Sequence, residues 1–450
     1  MKKIAVLTAV LFLAIGLAAF ASGGSQQGGI TGSDGKIHIT NTLWGTSTEL
    51  KNAQDTADRF NRLQNRIVVT PEQIPHETYE AVLRTRAAAG TLPDSGALIE
   101  QSIASFAASG LLADVSSMFD PKDMPLDSLA FRDTKGNIVA YSMANEILLL
   151  YYNKDMFDKA GVPYPPARVQ DAWTWDEFVA AAKKLTFDAN GRTPNDSGFD
   201  RNSIRQYGAM VENLTWQLEV WTLSNGSGFY NADGTQVVID NPAAIQAIQK
   251  VADLHLKDNV APMSPGLTDD GVQRSLIAGN VAMTTNGAWN VGTCLNSARD
   301  QDGLKYGVGV LPYMKDKVTI NTGGARAVFK GPKEAAAMEF VAWQSSEDET
   351  WTLIEQGIWM PTKMRYYTDE ALTRKWVENP NFPPYNEYKT AVVDFARDFA
   401  KPTAWYYTPN TNAFNALLQS LLGDVWTGSK TAQDVITQNI TALRNAHAGR

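Results

Sequence analysis

Short apolar runs alternate with segments of helical periodicity from residue 36 onward, and this alternation restricts the chain to an α/β architecture. The predicted strands are residues 37–44, residues 67–70 and a run that begins at Ala97, and the predicted helices are residues 49–64, 79–89 and 103–110. A β-α-β start of this kind predicts a mixed, mostly parallel sheet that is covered by helices.

The length of the chain argues for more than one lobe. The chain has 450 residues, and a single hydrophobic core stops growing at roughly 250–300 residues, so we expect two or three lobes. Further helices are predicted at residues 174–185, 241–256, 333–345, 347–356, 411–422 and 431–446.

The first 35 residues have the composition of an export segment. Lys2 and Lys3 precede an apolar run, residues 4–17, which ends shortly before Ala19-Phe20-Ala21, a cleavage site of small residues. A membrane anchor is the alternative, but the run is shorter than the roughly 20 residues that a membrane span needs. We therefore expect residues 1–21 to be a signal peptide cleaved after Ala21, residues 22–35 to be a flexible linker, and the mature protein to be periplasmic.

Composition and motifs exclude several classes of protein. The formal net charge is −8 and no basic stripe is visible, so nucleic acid is not an expected partner. The 4 histidines lie far apart and Cys294 is the only cysteine, so we expect neither a histidine-based metal centre nor an internal disulfide. There is no G-x-S-x-G, P-loop or H-E-x-x-H sequence; we expect no catalytic residues and no cofactor.

Several short motifs follow one another in an order that resembles a known family. They are residues 140–155 (AYSMANEILLLYYNKD), residues 173–178 (WTWDEF), residues 276–289 (LIAGNVAMTTNGAW), residues 308–312 (VGVLP), Gly323-Gly324 and residues 357–361 (GIWMP). Together they resemble the extracellular solute-binding proteins of ABC importers, in particular the carbohydrate-binding family that includes maltose-binding protein. One departure is Ser142, where that family usually has proline.

The resemblance implies a type II periplasmic-binding-protein fold, which has two α/β lobes and a ligand cleft between them. The first lobe is expected to comprise residues 36–142 and 323–375, and the second lobe residues 146–320 and 376–450. The chain is expected to cross between the lobes near residues 142–145, 320–323 and 369–377. The implied function is that of a monomeric receptor that closes on a sugar and delivers it to the transmembrane permease subunits of an ABC importer.

A sugar site needs flat aromatic faces and hydrogen-bonding side chains, because an unpaired buried hydroxyl costs roughly 1–3 kcal/mol. The end of the first strand supplies Trp44, Thr46 and Ser47. The resemblance adds the ligand-binding candidates Glu100, Gln101, Asn145, Glu146, Trp216, Trp289, Gly324 and Trp359. Core packing remains the alternative for each tryptophan, a solvated loop for Glu100 and Gln101, and a structural hinge carboxylate for Glu146.

Two other classes of function stay open. Glu100 and Glu146 could be the acid and base of a glycoside hydrolase, although carboxylates also bind sugar hydroxyls without reaction. A receptor for a non-sugar solute is the second alternative. A polyamine would need a cage of carboxylates, and an anion such as glycerol phosphate would need arginines, toward which Arg326 is a single hint; an osmolyte is a further candidate.

Overall fold

The structure is a computed structural model that describes residues 30–44, 47–75, 78–119, 129–263, 275–403, 408 and 410–450. The predicted signal peptide, most of the predicted linker and Thr46 lie outside the described residues. None of the helices in the described ranges is long and apolar enough to cross a membrane.

The described strands are β1 (Ile37–Leu43), β2 (Ile67–Gln73), β3 (Ser95–Leu98), β4 (Ala130–Arg132), β5 (Ile138–Ser142), β6 (Glu146–Asn153), β7 (Phe187–Asp188), β8 (Ile204–Met210), β9 (Val281–Gly287), β10 (Tyr306–Gly309), β11 (Thr319–Thr322), β12 (Ala325–Val328) and β13 (Ala400–Pro402). The described α-helices are α1 (Ser47–Leu63), α2 (Tyr79–Ala89), α3 (Glu100–Ala108), α4 (Lys154–Ala160), α5 (Trp175–Leu185), α6 (Thr215–Ser224), α7 (Pro242–Leu256), α8 (Asn296–Asp302), α9 (Glu334–Gln344), α10 (Glu347–Glu355), α11 (Arg365–Thr368), α12 (Glu370–Val377), α13 (Tyr385–Tyr388), α14 (Asp394–Phe399), α15 (Thr411–Trp426) and α16 (Ala432–His447).

The strands form two sheets, which confirms the predicted two-lobed α/β fold. The first sheet has the order β2-β1-β3-β12-β5-β4, and the second has the order β13-β11-β6-β9-β8-β7 with β10 also paired to β6. The first lobe is built on the first sheet, and the second lobe on the second.

Strand direction differs from the prediction of mostly parallel sheets. In the described strands, parallel pairing is limited to β1 with its two neighbours, β8 with β9, and β11 with β13. The remaining pairs are antiparallel: β12 returns from the second lobe and inserts between β3 and β5, β6 runs opposite to β9, β10 and β11, and β4 with β5 and β7 with β8 form the other two pairs. The sheets are therefore mixed.

Side-chain packing separates the two lobes. Residues such as Ile39 and Val341 pack in the cores of the first lobe, whereas Ile354, Met360 and Trp376 pack in the core of the second. The predicted domain boundaries stay a prediction, but this packing leads us to propose that the third crossing lies between residues 345 and 354, before the predicted position at residues 369–377.

Helix starts follow from local hydrogen bonds that the sequence already signals. Thr174 and Glu177 form a reciprocal capping box at the start of α5, and Asn241 accepts a hydrogen bond from the Ala243 amide at the start of α7. These caps satisfy amide groups that a helix leaves without an internal partner.

Candidate ligand-binding site

The two lobes are joined where β5 leads into β6 and where β11 leads into β12. The Met143 amide donates to the Gly324 carbonyl at 2.9 Å, and the Ser142 hydroxyl donates to the Gly323 carbonyl at 3.4 Å. The Asn145 amide donates to the Met360 carbonyl at 3.1 Å. Three chain segments that are distant in sequence therefore meet in one hydrogen-bonded hinge.

Asn145 lies at the centre of this hinge. Its side chain is fully buried, donates to the Tyr367 hydroxyl at 2.8 Å and accepts from the Asn321 amide group at 2.5 Å. The Tyr367 hydroxyl donates onward to the Pro361 carbonyl at 2.6 Å, and burial raises the pKa of Tyr367. The polar atoms of Asn145 are thus used to connect the crossings, and its side chain does not line the cavity described next.

A cavity of about 680 Å³ lies between the lobes, next to the hinge. Ligand sites for small molecules typically have volumes of about 300–1,000 Å³ and occur preferentially at domain interfaces. The described residues that line it are Asn41, Thr42, Leu43, Trp44, Asn52, Ala53, Thr56, Gly96, Ala97, Met143, Ala144, Glu146, Gly292, Thr293, Gly323, Gly324, Arg326, Gln344, Glu349, Leu353, Ile358 and Trp359.

Trp44 is held in the cavity wall by the residues around it. Its ring packs edge-on against Tyr79 with centroids 5.1 Å apart, and the Tyr79 hydroxyl donates to the Ala97 carbonyl at 2.7 Å. Gly324 permits this placement, because a Cβ there would lie 2.8 Å from the Trp44 ring. Gly324 therefore contributes space rather than a side chain.

Polar side chains share the wall with the tryptophans. Asn52 and Thr56 lie one turn apart on α1, so both face the cavity. Glu349 of α10 accepts from the Arg59 Nε at 3.1 Å, and this hydrogen bond raises the pKa of Arg59 above the usual arginine value. The Glu349 carboxylate is therefore charge-compensated.

Arg326 of β12 is the cationic side chain among the described residues that line the cavity. It is 7% exposed, donates from Nη1 to the Ser345 hydroxyl at 3.1 Å, and lies with Cζ 5.5 Å from the centre of the Trp359 ring. Burial lowers the pKa of Arg326, while the neighbouring Tyr141 acts in the opposite direction. Arginine nevertheless keeps its proton.

The structure brings some of the sequence-predicted site residues together and separates others. Trp44, Glu146, Gly324 and Trp359 line the cavity. Ser47 is the first residue of α1, and Glu100 and Gln101 are the first residues of α3. Both helices follow strands β1 and β3, whose carboxyl ends reach the cleft.

Trp216 and Trp289 form a separate pair. Their ring centroids are 6.2 Å apart, and both are half-buried against the core of the second lobe. Neither is among the described residues that line the cavity. The Trp289 ring covers Gly287, where a Cβ would lie 1.9 Å from a ring atom. Their role in ligand binding stays a prediction.

The sequence analysis missed several cavity residues, including Asn52, Thr56, Gln344 and Glu349. The i, i+4 spacing of Asn52 and Thr56 is a detectable signal for one helix face. Glu349 carries no such signal, because its position depends on how α10 packs near α1. In the described ranges, no cluster of three or more His, Cys, Asp or Glu side chains is arranged to hold a metal ion.

A sequence profile described as bacterial extracellular solute-binding protein matches residues 44–351. The chain belongs to this family. Its relatives are binding proteins rather than enzymes.

Among curated relatives, the sn-glycerol-3-phosphate-binding periplasmic protein of Pectobacterium atrosepticum is 25% identical over 418 residues, which are 86% of each chain. Several others with that name match over 54% of this chain and 54% of their own length. Among solved structures, an ABC substrate-binding protein from Listeria monocytogenes in complex with cycloalternan has a TM-score of 0.72 at 22% identity, covering 92% of this chain and 99% of that one. Maltose-bound MalE3 of T. maritima has a TM-score of 0.70 at 21% identity, covering 90% and 98%.

Proposed function

We propose that this solute-binding protein captures a sugar or a sugar-like polyol in the cleft and delivers it to an ABC importer. The observation that carries the proposal is the cavity of about 680 Å³, in which Trp44 and Trp359 share the wall with hydroxyl, amide and carboxylate side chains. Aromatic faces suit the apolar C–H face of a pyranose, and the polar side chains suit its hydroxyls.

The names of related proteins support this class of ligand. The Listeria monocytogenes protein is in complex with cycloalternan, the T. maritima protein is maltose-bound, and the Pectobacterium atrosepticum relative is named for sn-glycerol-3-phosphate. Cycloalternan and maltose are carbohydrates, and glycerol 3-phosphate is a phosphorylated polyol, so all three carry hydroxyl groups. Hydroxyl recognition is the chemistry that they share.

The mechanism is closure about the hinge. Trp44 and Asn52 come from the first lobe, whereas Glu146 and Thr293 come from the second. A solute that touches both walls gains its full set of contacts only when the cleft is shut, so binding shifts the population toward the closed form. No covalent step is involved, and the permease recognises the closed shape.

Export precedes this function. The basic start at Lys2 and Lys3 and the Ala19-Phe20-Ala21 site support cleavage before Ser22 and release into the periplasm. Mass spectrometry of the native protein is expected to find Ser22 as the new amino terminus. A native protein that retains Met1 would contradict the proposed export.

Binding is tested by a thermal-shift screen of mono- and oligosaccharides, followed by titration calorimetry, because a ligand at 100 times its Kd stabilises the folded state by about 2.7 kcal/mol. Trp44→Ala is expected to weaken the binding of any hit by about 30-fold. Trp343→Ala is the matched control, because Trp343 packs against Phe60 outside the cavity. Cleavage products from a bound oligosaccharide would instead indicate a glycoside hydrolase.

A further inference from the structure

Arg326 occupies a central place in the wall of the cavity. Strand β12 lies between β3 and β5, and Arg326 is paired in register with Ala97 on one side and Tyr141 on the other. Its side chain lines the cavity and is only 7% exposed. A flexible, charged side chain is therefore held inside the cleft by a rigid strand.

The contacts of Arg326 include no carboxylate among the residues that the structure describes. Nη1 donates to Ser345, whose hydroxyl donates in turn to the Val341 carbonyl at 2.5 Å, and the guanidinium lies 5.5 Å from the centre of the Trp359 ring. Arg59 and Arg86 differ, since each is paired with a glutamate, Glu349 and Glu72 respectively.

A buried charge without a counter-charge costs free energy, and the cost is reduced when an ion of opposite sign binds beside it. A guanidinium has five N–H donors; Ser345 accepts from one, and the neighbouring Tyr141 hydroxyl also interacts with the guanidinium of Arg326. Its planar fork matches a carboxylate or phosphate group, and its face can rest on an aromatic ring at the same time. The contact with Trp359 fits this second use.

The other charges of the cavity leave room for such an ion. Glu349 is compensated by Arg59, and Glu146 begins β6 in the opposite wall. An acidic group at Arg326 and hydroxyl groups at Glu146 would use lining residues of both lobes. A neutral sugar would leave the Arg326 charge unmatched.

We propose that the solute carries an anionic oxygen group, a carboxylate or a phosphate, on a hydroxyl-bearing skeleton, and that Arg326 binds this group. The inference rests on the proposed function, since it assigns the chemical class of the solute in the same cleft. It predicts that the solute is a sugar acid, a sugar phosphate or a polyol phosphate.

Calorimetric titrations of the purified protein with matched pairs test the inference. The pairs are galacturonate with galactose, glucose 6-phosphate with glucose, and glycerol 3-phosphate with glycerol. At least one anionic member is expected to bind 30-fold or more tightly than its neutral parent. Comparison of the galacturonate pair with the two phosphate pairs shows whether the site binds a carboxylate or a phosphate.

Variants of Arg326 supply the second part of the test. Arg326→Met is expected to weaken the binding of the anionic member by at least 30-fold and that of the neutral parent by a clearly smaller factor, because only the anion loses a charged partner. Arg326→Lys keeps the charge but loses the fork, so an intermediate loss is expected. Arg86→Met is the matched control, because the Arg86–Glu72 pair lies outside the cavity and its loss should not change affinity.

The melting temperature of the ligand-free protein distinguishes binding from a structural role. If Arg326 is kept for an anion, Arg326→Met will melt at the same temperature as the wild type or higher, since a buried charge has been removed. A lower melting temperature with unchanged anion affinity would overturn the inference. Tight binding of neutral sugars alone would also overturn it while preserving the proposed function, and binding of neither class would overturn both.

Discussion

Two pairs of tryptophans pack differently in this protein. Trp44 and Trp359 line the interlobe cavity; Gly324 leaves room for the Trp44 ring, and the Arg326 guanidinium lies over the Trp359 ring. Trp216 and Trp289 pack against one another and against the core of the second lobe. All four rings pack partly against a hydrophobic core, and of the four only Trp44 and Trp359 also line the cavity, so we expect ligand contact from that pair.

The largest effect is expected on stability, at the second pair. Trp289→Ala removes a half-buried ring that covers Gly287 and contacts Trp216, and should lower the free energy of unfolding by about 3 kcal/mol. Urea midpoints of the ligand-free protein measure this loss, and calorimetry on the folded variant should find the affinity nearly unchanged. If Trp289→Ala weakened binding as much as Trp359→Ala, Trp289 would contact the ligand, as the family resemblance predicts.

The next effect is expected on binding, at the first pair. Trp359→Ala removes on the order of 100 Å² of apolar contact with the solute at about 25 cal/mol per Å², so the loss should be roughly 2 kcal/mol, or about 30-fold in Kd. Calorimetry with a confirmed ligand measures it. If Trp359→Ala kept its affinity but had a lowered urea midpoint, Trp359 would be a core residue. The two pairs of tryptophans would then have the same role.

A smaller effect is expected at Gly324. The added Cβ of Gly324→Ala would lie 2.8 Å from the Trp44 ring, so the ring must shift, and we expect binding to weaken by about 1 kcal/mol, or roughly 5-fold. Gly331→Ala is the matched control, since no atom lies within 4 Å of its added Cβ. Equal affinities of the two variants would show that the placement of Trp44 does not depend on Gly324.

Local structure followed closely from the sequence. The predicted helix at residues 79–89 has the observed bounds of α2, and the Asn-Pro start at residue 241 caps α7. These elements depend on side-chain periodicity and on caps within a few residues, which a single sequence contains. The family motifs also led to Glu146, Gly324 and Trp359, and the end of the first strand led to Trp44; all four line the cavity.

Features that depend on distant pairing were not predictable in this way. The antiparallel insertion of β12 between β3 and β5 joins segments that are more than 180 residues apart, and no local pattern fixes its direction. The same insertion buries Arg326 beside the cavity, which turns a single arginine in the sequence into a candidate anion site. Asn145 was predicted to bind the ligand, but its side chain forms hydrogen bonds with residues 321 and 367 in the hinge. No local pattern indicates these distant partners.

The central claim is that a solute closes the two lobes over this cavity, and small-angle X-ray scattering tests it most directly. With a ligand confirmed by calorimetry at saturation, the radius of gyration of the wild-type protein is expected to fall, because contacts from both walls favour the shut form. Trp44→Ala at the same ligand concentration should show a smaller fall in proportion to its lower occupancy. A saturated wild-type protein whose scattering curve matches that of the ligand-free protein would contradict closure between the lobes.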